Sequence, residues 1–310
     1  MKAQLFDISH RTVYDYQSPV TVSHHLLKLS PRRMRRQIVL EHSIELNPQP
    51  ASTSIHKDYF GNEVMFFTIE GAHRQLQVTS NNRIAVTPPF IPDAAETPAW
   101  ESVRGLCRTD RSVRVLEAGE FMFASPLAGS DPAFAAYAEP SFPMGRPILS
   151  AVLDLTARIF NEFTFDATAT TVSTPLAQVL EQRRGVCQDF AHLQIACLRS
   201  MGLPARYVSG YLETLPPPGQ PKLVGSDASH AWVAFFCPGI GWIDVDPTNN
   251  LLPSMQHITL GWGRDFSDIS PVRGVLTGGE NHILSVGVDV IAQGEWEVDA
   301  THAGLSMLRR

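Results

Sequence analysis

Three side chains between Arg183 and Asn250 have the types and order of a thiol-based catalyst: Cys187, His230 and Asp246. A cysteine attacks carbonyl carbon as its thiolate, so it needs a base beside it and a group that orients that base. Cys187 follows Arg183-Arg184-Gly185-Val186 and opens a stretch in which Phe190, Leu193, Cys197 and Met201 fall on one helical stripe. Gly202 and Pro204 end that stretch. The thiol is therefore expected in the first turn of a helix, where unpaired N–H groups and the positive dipole end favour an anion. His230 opens the apolar run Ala231–Phe236, and Asp246 follows the run Gly241–Val245, with the tight return Pro238-Gly239-Ile240-Gly241 between them. An antiparallel hairpin makes His230 and Asp246 cross-strand neighbours at one sheet edge, leaving the second ring nitrogen for the thiol.

Other readings of the same residues exist. A cysteine on a helix is commonly a small buried hydrophobe, the role expected of Cys107, Cys197 and Cys237. His192 is a competing base, but it lies five residues further along the helix of Cys187 and points to another side. Asp244 shares its strand face with Asp246; the latter precedes Pro247-Thr248, where the strand stops and a side chain can turn toward a site. Cys187, His192, His230 and an aspartate are also possible metal ligands, although no Cys-x-x-Cys or His-x-x-x-His spacing supports that. A third reading is a noncatalytic peptide-binding module, whose activity would survive Cys187→Ala.

The elements that must position these residues fall into an α+β pattern. From Leu5 to about Val86, short alternating or β-branched runs are broken by turn residues, which reads as an antiparallel β-sandwich domain over residues 1–90. Recurrent prolines mark 91–145 as a connector with brief helices. Residues 146–295 read as helices followed by an antiparallel sheet, which the alternating run Ile283–Ile291 is expected to join, and 296–310 as a loose tail. The Pro-rich stretch Leu215–Pro221 is expected to loop between two strands, and Tyr211 to be a packed aromatic near the cleft. Across 310 residues the formal net charge is −6 and charged residues make up 18%, so the electrostatic footprint of a nucleic-acid binder is missing. The run Arg32-Arg33-Met34-Arg35-Arg36 reads as a solvated turn. No segment approaches the ~18 uninterrupted apolar residues of a membrane span, and the start of the chain lacks the pattern of a secretory signal. Four cysteines without framework spacing point to reduced thiols and a cytoplasmic address.

Several blocks resemble the bacterial transglutaminase-like superfamily: Arg184-Gly185-Val186-Cys187-Gln188-Asp189-Phe190, Gly202-Leu203-Pro204-Ala205-Arg206-Tyr207-Val208-Ser209-Gly210-Tyr211, His230-Ala231-Trp232, Asp246-Pro247-Thr248 and the stretch 263–274. The run His10–Tyr16 and Asp58-Tyr59-Phe60-Gly61-Asn62 are similar to the β-domain that precedes the core in that family. The resemblance implies a papain-like α+β core in which Cys187 attacks an amide carbonyl, His230 moves the proton and Asp246 orients the imidazole. It implies a peptide or protein amide as substrate, no cofactor and no metal, and a peptidase or amidase at least as readily as an amine-crosslinking acyltransferase. The oxyanion would be met by the Cys187 N–H and a side-chain donor, for which Gln182 is the candidate. Family members are often encoded beside an ATP-grasp-like protein, which implies a pathway partner of that kind.

Overall fold

The computed structural model describes residues 2–213 and 229–298. The expected loop at Leu215–Pro221, and all of the expected tail except residues 296–298, lie outside them. Alternation of buried and exposed residues produces long antiparallel strands in the first part: β1 (Lys2–Leu27), β2 (Gln37–Asn47), β3 (Ser52–Lys57) and β4 (Glu63–Val86). A helical middle follows, with α1 (Trp100–Thr109), α2 (Val113–Gly119), α3 (Pro132–Ala138) and α4 (Ile148–Glu162). Next come β5 (Thr164–Phe165), α5 (Leu176–Gln182), β6 (Arg184–Gly185) and α6 (Cys187–Ser200). The strands β7 (Ala205–Leu212), β8 (Ser229–Cys237), β9 (Gly241–Val245) and β10 (His257–Gly263) then precede α7 (Phe266–Ile269), β11 (Val272–Gly278) and β12 (His282–Glu297). The result is the α+β class expected, with antiparallel sheets and a helical layer on the second of them. Among the described residues no helix is long and apolar enough to cross a membrane.

One six-stranded sheet is built on β1 and β4, each of which changes partner along its length. Near its start β1 pairs with β12 and β4, and near its end with β11 and β4; β2 and β3 take the two halves of the other side of β4. The run Ile283–Ile291 is thus a strand as expected, but it joins this first sheet through β1 and not the sheet that follows the helices. Its alternation specifies a strand with one buried face, and Val288 and Val290 do pack into the first core; alternation carries no information about which edge supplies the partner.

The second sheet has the order β10-β7-β8-β9, and α6 lies across it as a helix buried on nearly every side from Asp189 to Arg199. The side of this helix that carries His192 and Arg199 is an internal one. Arg199 shows how: its guanidinium donates to the carbonyls of Phe121, Ala205 and Arg264 and to the Ser125 hydroxyl. One buried cation therefore ties the connector, β7 and the loop after β10 to α6, with its donors satisfied as a buried charge requires.

The two sheets meet through side-chain amides that close the free edge of β10. Gln37 accepts from the Thr259 N–H at 2.8 Å and donates to its carbonyl at 2.7 Å, and Asn62 does the same for Trp262 at 3.1 and 2.8 Å. An exposed strand edge would otherwise offer a template for pairing. The turn carrying Asn62 is fixed by the Asp58 carboxylate, which accepts from the N–H groups of Phe60 and Asn62, and by Gly61 at φ 75°.

Gly210, in the middle of β7, is required by a close approach. A Cβ there would lie 2.1 Å from the Ile258 carbonyl oxygen and 2.5 Å from the Trp232 ring. Both are fixed, one by the β7–β10 ladder and the other by complete burial. Gly210→Ala is expected to cost about 2 kcal/mol or more of stability, read as a lower denaturation midpoint in urea at unchanged m-value.

Candidate functional site

Cys187 sits at the first position of α6, where the backbone N–H groups have no intrahelical acceptor. The chain reaches that point stiffly. Arg183 turns it with φ 56°, and β6 then pairs in parallel with β5, adding hydrogen bonds from Thr164 N–H to the Arg183 carbonyl and from Asp166 N–H to the Gly185 carbonyl. Asp189, one turn into α6, accepts from the Val186 N–H at 2.9 Å and from the Thr170 hydroxyl at 2.6 Å. A Cβ on Gly185 would fall 2.7 Å from that carboxylate. The block Gly185-Val186-Cys187-Gln188-Asp189 is thus a helix cap in which glycine makes room for the capping carboxylate, and it fixes the thiol.

His230 lies at the open end of β8, beside the end of β7 and near the start of α6. Its Nε2 bonds Asp246 Oδ2 at 2.7 Å, and Cys187 is near enough to act on the ring and raise its pKa. With Nε2 committed to the carboxylate, Nδ1 is the nitrogen left for sulfur. Burial disfavours the charged ring, but the hydrogen bonds to Asp246 and Cys187, then their charges, outweigh it and raise the His230 pKa to about 10.

The hairpin brings His230 and Asp246 together diagonally. Val233 pairs with Val245, so the register places Trp232, not His230, opposite Asp246. The three share a face, and the aspartate reaches back past Trp232 to the imidazole, within the span of a diagonal cross-strand pair. Asp244 lies one step deeper on the same face and pairs with Arg36 at 3.2 Å.

Asp246 is completely buried and held by five donors. Oδ1 accepts from the backbone N–H groups of Thr248 and Asn249, closing a turn that the Asp246–Leu251 bridge and Asn250 at φ 52° complete. Oδ2 accepts from His230, from the Asn249 side chain at 2.8 Å and from His257 Nε2 at 3.1 Å. Burial alone would raise the acid's pKa; the bonds from His230 and His257, the His230 charge and the Asn249 bond together drive it well below the ordinary carboxylate range.

His257 and Asn249 are the members of this site that the sequence did not disclose. His257 opens an apolar strand like any other residue there, and only folding puts β10 beside the turn after β9. It is packed edge-on to Trp232 with ring centres 5.2 Å apart. Asn249, three residues past the aspartate, carried a readable signal, since Asx-rich turns return side chains onto their own first residue. His230, Asp246 and His257 also form a set able to ligate a metal ion, their donor atoms lying within 4.8 Å of one another. Hydrogen bonds account for that convergence, because each Nε2 is turned directly onto the same carboxylate oxygen.

The remaining candidates are placed as follows. His192 is buried, with Nε2 accepting from the Phe266 N–H at 3.1 Å, and burial lowers its pKa to about 4. Gln182 is the last residue of α5 and is exposed, with no side-chain hydrogen bond among the described residues. Tyr211 is a packed aromatic whose hydroxyl meets His10 Nδ1 of the first sheet at 2.9 Å. All four cysteines are free thiols; burial raises Cys107 and Cys237 to about 11 and Cys197 further still. Beside the start of α6 runs a cleft of about 410 Å³ lined by Leu127, Phe134, Val172, Leu176, Gln188 and His192 among others. Ser130, Asp131, Ser173, Thr174 and Asp189 add polar groups to its lining.

Comparison with known proteins agrees with this architecture. Residues 6–85 match the model of the bacterial transglutaminase-like N-terminal region, and residues 140–247 that of the transglutaminase-like superfamily. A Mycobacterium bovis protein is 40% identical over 308 residues, covering 96% of this chain and 95% of that one. A Mycobacterium leprae protein is 32% identical over 287 residues, 91% of this chain and 97% of the other. A protein-glutamine gamma-glutamyltransferase of Pseudomonas aeruginosa is 34% identical over 107 residues, 32% of this chain and 16% of its own length. The structure of a Cytophaga hutchinsonii protein proposed to be a cysteine protease superposes with a TM-score of 0.76 over 95% of this chain and 93% of that one, at 21% identity. With both segments matched and full-length relatives at this identity, the chain belongs to the transglutaminase-like superfamily, with the N-terminal region of its bacterial members.

Proposed function

We propose that the chain is a cysteine-dependent amide-bond enzyme, a peptidase or amidase that works through a thioacyl intermediate. The observation that carries this reading is the single imidazole bonded to a buried carboxylate and lying near a thiol at a helix start. With its pKa raised to about 10, His230 carries a proton near neutrality. The Cys187 thiolate attacks the amide carbon, and the developing oxyanion is met by the Cys187 N–H, with the Gln182 amide as the second donor proposed. The imidazolium gives its proton to the departing amine, leaving a thioester and a neutral ring. Water then attacks the thioester while His230 takes its proton, and the thiolate is released as the product acid departs. A peptide or protein segment would lie in the cleft along α6. Free thiols throughout fit work in the cytoplasm, with an ATP-grasp-like partner supplying the peptide.

A second reading replaces water by an amine, making the chain an acyltransferase. The partial similarity to a protein-glutamine gamma-glutamyltransferase favours it, and the site chemistry up to the thioester is the same.

Iodoacetamide should alkylate Cys187 far faster than the other thiols near neutral pH. The rate should fall about 100-fold or more in His230→Ala, measured by mass spectrometry of the labelled peptide, while Cys187→Ala abolishes turnover. A Cys187 rate equal to that of Cys107, or unaffected in His230→Ala, would sink the nucleophile. Offering a primary amine alongside water separates the two readings by product mass. Gln182→Ala should lower kcat by about 100-fold if its amide meets the oxyanion and leave kcat unchanged if it does not.

The ion pair also predicts a pH signature. Raised from 6.5 to about 10, His230 contributes stability that is complete below 6.5 and fades as pH rises toward 10. Asp246, depressed from 3.8, contributes stability that is complete above that value and is lost as pH falls below it. The stability gap between the native protein and Asp246→Asn should therefore be widest between about 4 and 6.5 and narrow toward pH 10. Urea titrations across that range measure it; a gap independent of pH would remove the pair.

A further inference from the structure

The basic run Arg32–Arg36 is a turn, as its composition suggests, but only Arg33 and Arg35 are exposed in it. Arg32 stacks on Trp262, its guanidinium carbon 3.4 Å from the ring centre, and Arg36 pairs with Asp244. The run reaches the face of the second sheet that is turned away from α6, since Tyr207 contacts His192 of α6 and its neighbours Arg206 and Val208 point the other way.

Arg206 on that face is a buried cation without a hydrogen-bond partner among the described residues. Its guanidinium lies between two indoles, with its carbon 4.1 Å from the centre of Trp242 and 3.8 Å from that of Trp262, and the residue is 8% exposed. Stacking of this kind supports a guanidinium from its faces and leaves its edge for hydrogen bonds. Arg206 makes none among the described residues, and its Nε is buried and unpartnered. Asp244 is close enough to act on it through charge but is bonded to Arg36. An unfilled donor on a buried charge carries a desolvation cost that a native fold normally meets with an acceptor.

A cavity of about 220 Å³ opens here, lined by Met34, Arg35, Arg36, Arg206, Trp242 and Trp262 together with Asp244 and others. Of its charged groups, Arg36 and Asp244 neutralise each other, so Arg35, exposed and without a bond among the described residues, and Arg206 leave it net positive. At about 30 Å³ per water the space equals roughly seven waters. That is below the ~300 Å³ at which drug-sized pockets begin and suits a small anion.

We propose that this cavity between the first-sheet turn and the second sheet is a binding site for a small oxyanion, the carboxylate or phosphate group of a metabolite, taken by the edge of Arg206 and by Arg35 between indole walls. Both ligand chemistries offer the paired oxygens that a guanidinium edge recognises. The cavity shares its sheet face with His230 and Asp246, but neither they nor any residue of the cleft along α6 lines it, so it is a second site and not part of that cleft. A bound anion bridges residues of the first-sheet turn to β7 and β9 and stabilises the folded chain by mass action.

Calorimetric titration of the full chain with inorganic phosphate and, separately, with succinate, at matched ionic strength, tests this. Trp fluorescence gives a second readout from the indole walls. Saturable one-site binding is expected, phosphate or succinate being preferred according to the natural ligand. Affinity should fall tenfold or more, about 1.4 kcal/mol, in Arg35→Ala and in Arg206→Lys, which keeps charge but loses the planar fork. Arg35→Ala alters an exposed, unbonded side chain and so tests the site even if Arg206→Lys folds poorly. No saturable binding of either anion, or binding unchanged in Arg35→Ala, overturns the proposal.

Discussion

The buried carboxylate of Asp246 is the constraint on which the site depends. It has no access to water, so five protein donors replace its hydration, and each donor comes from an element that must be in place for the bond to form. Two belong to the turn that follows β9, one to the Asn249 side chain, one to β8 through His230 and one to β10 through His257. A half-satisfied arrangement of this kind would be worse than an apolar one. The requirement of full satisfaction therefore specifies the mutual placement of three strands at one end of the sheet, the same end at which α6 begins.

Much of that placement was legible in the sequence, for identifiable reasons. Cys187 could be set at a helix start because Gly202 and Pro204 close a 3.6-period stripe that opens at Cys187, and the diad of His230 and Asp246 followed from one short return between two apolar runs. The register escaped by two residues. A hairpin rule places neighbours opposite each other, whereas the bulk of Trp232 between them makes the diagonal the path by which the carboxylate reaches the ring. His257 escaped altogether, because a histidine on a strand has no spacing signature and its proximity is created by the order β10-β7-β8-β9, which is not sequential. The final strand was misassigned for the same reason: alternation names a strand and its buried face but not its neighbour.

The helical and β-rich parts are joined by polar side chains as well as by a shared apolar core. Of the two large hydrophobic clusters, one surrounds α6 and the other, centred on the first sheet, also takes in Tyr211, Ile258 and Leu260 of the second. Between them stand Gln37 and Asn62 on the edge of β10, the His10–Tyr211 contact, and the arginine and tryptophan stack of Arg32, Arg206, Trp242 and Trp262. Polar seams are directional, so they fix orientation where apolar contact would permit sliding. This explains why motifs far from the thiol, such as Asp58-Tyr59-Phe60-Gly61-Asn62, belong to the same architecture: through Asn62 they hold β10, and β10 holds His257 against Asp246.

That chain of contacts bears on the chemistry proposed for the thiol. A carboxylate kept ionised by backbone and side-chain donors is a fixed negative charge, and a fixed charge in a low-dielectric setting favours the imidazolium beside it far more than a mobile one in water would. Expulsion of an amine needs a proton at the moment the C–N bond breaks, and a ring already charged in the resting state has that proton in hand. The deacylation step needs the reverse, a neutral ring beside the thioester, and the ring is neutral then because its proton has left with the amine. In the proposed reaction the same fixed carboxylate would serve both half-reactions without itself titrating, provided the donors around it hold. His257 is the donor best placed to ensure this, since it binds the oxygen shared with His230 and keeps that oxygen turned toward the ring.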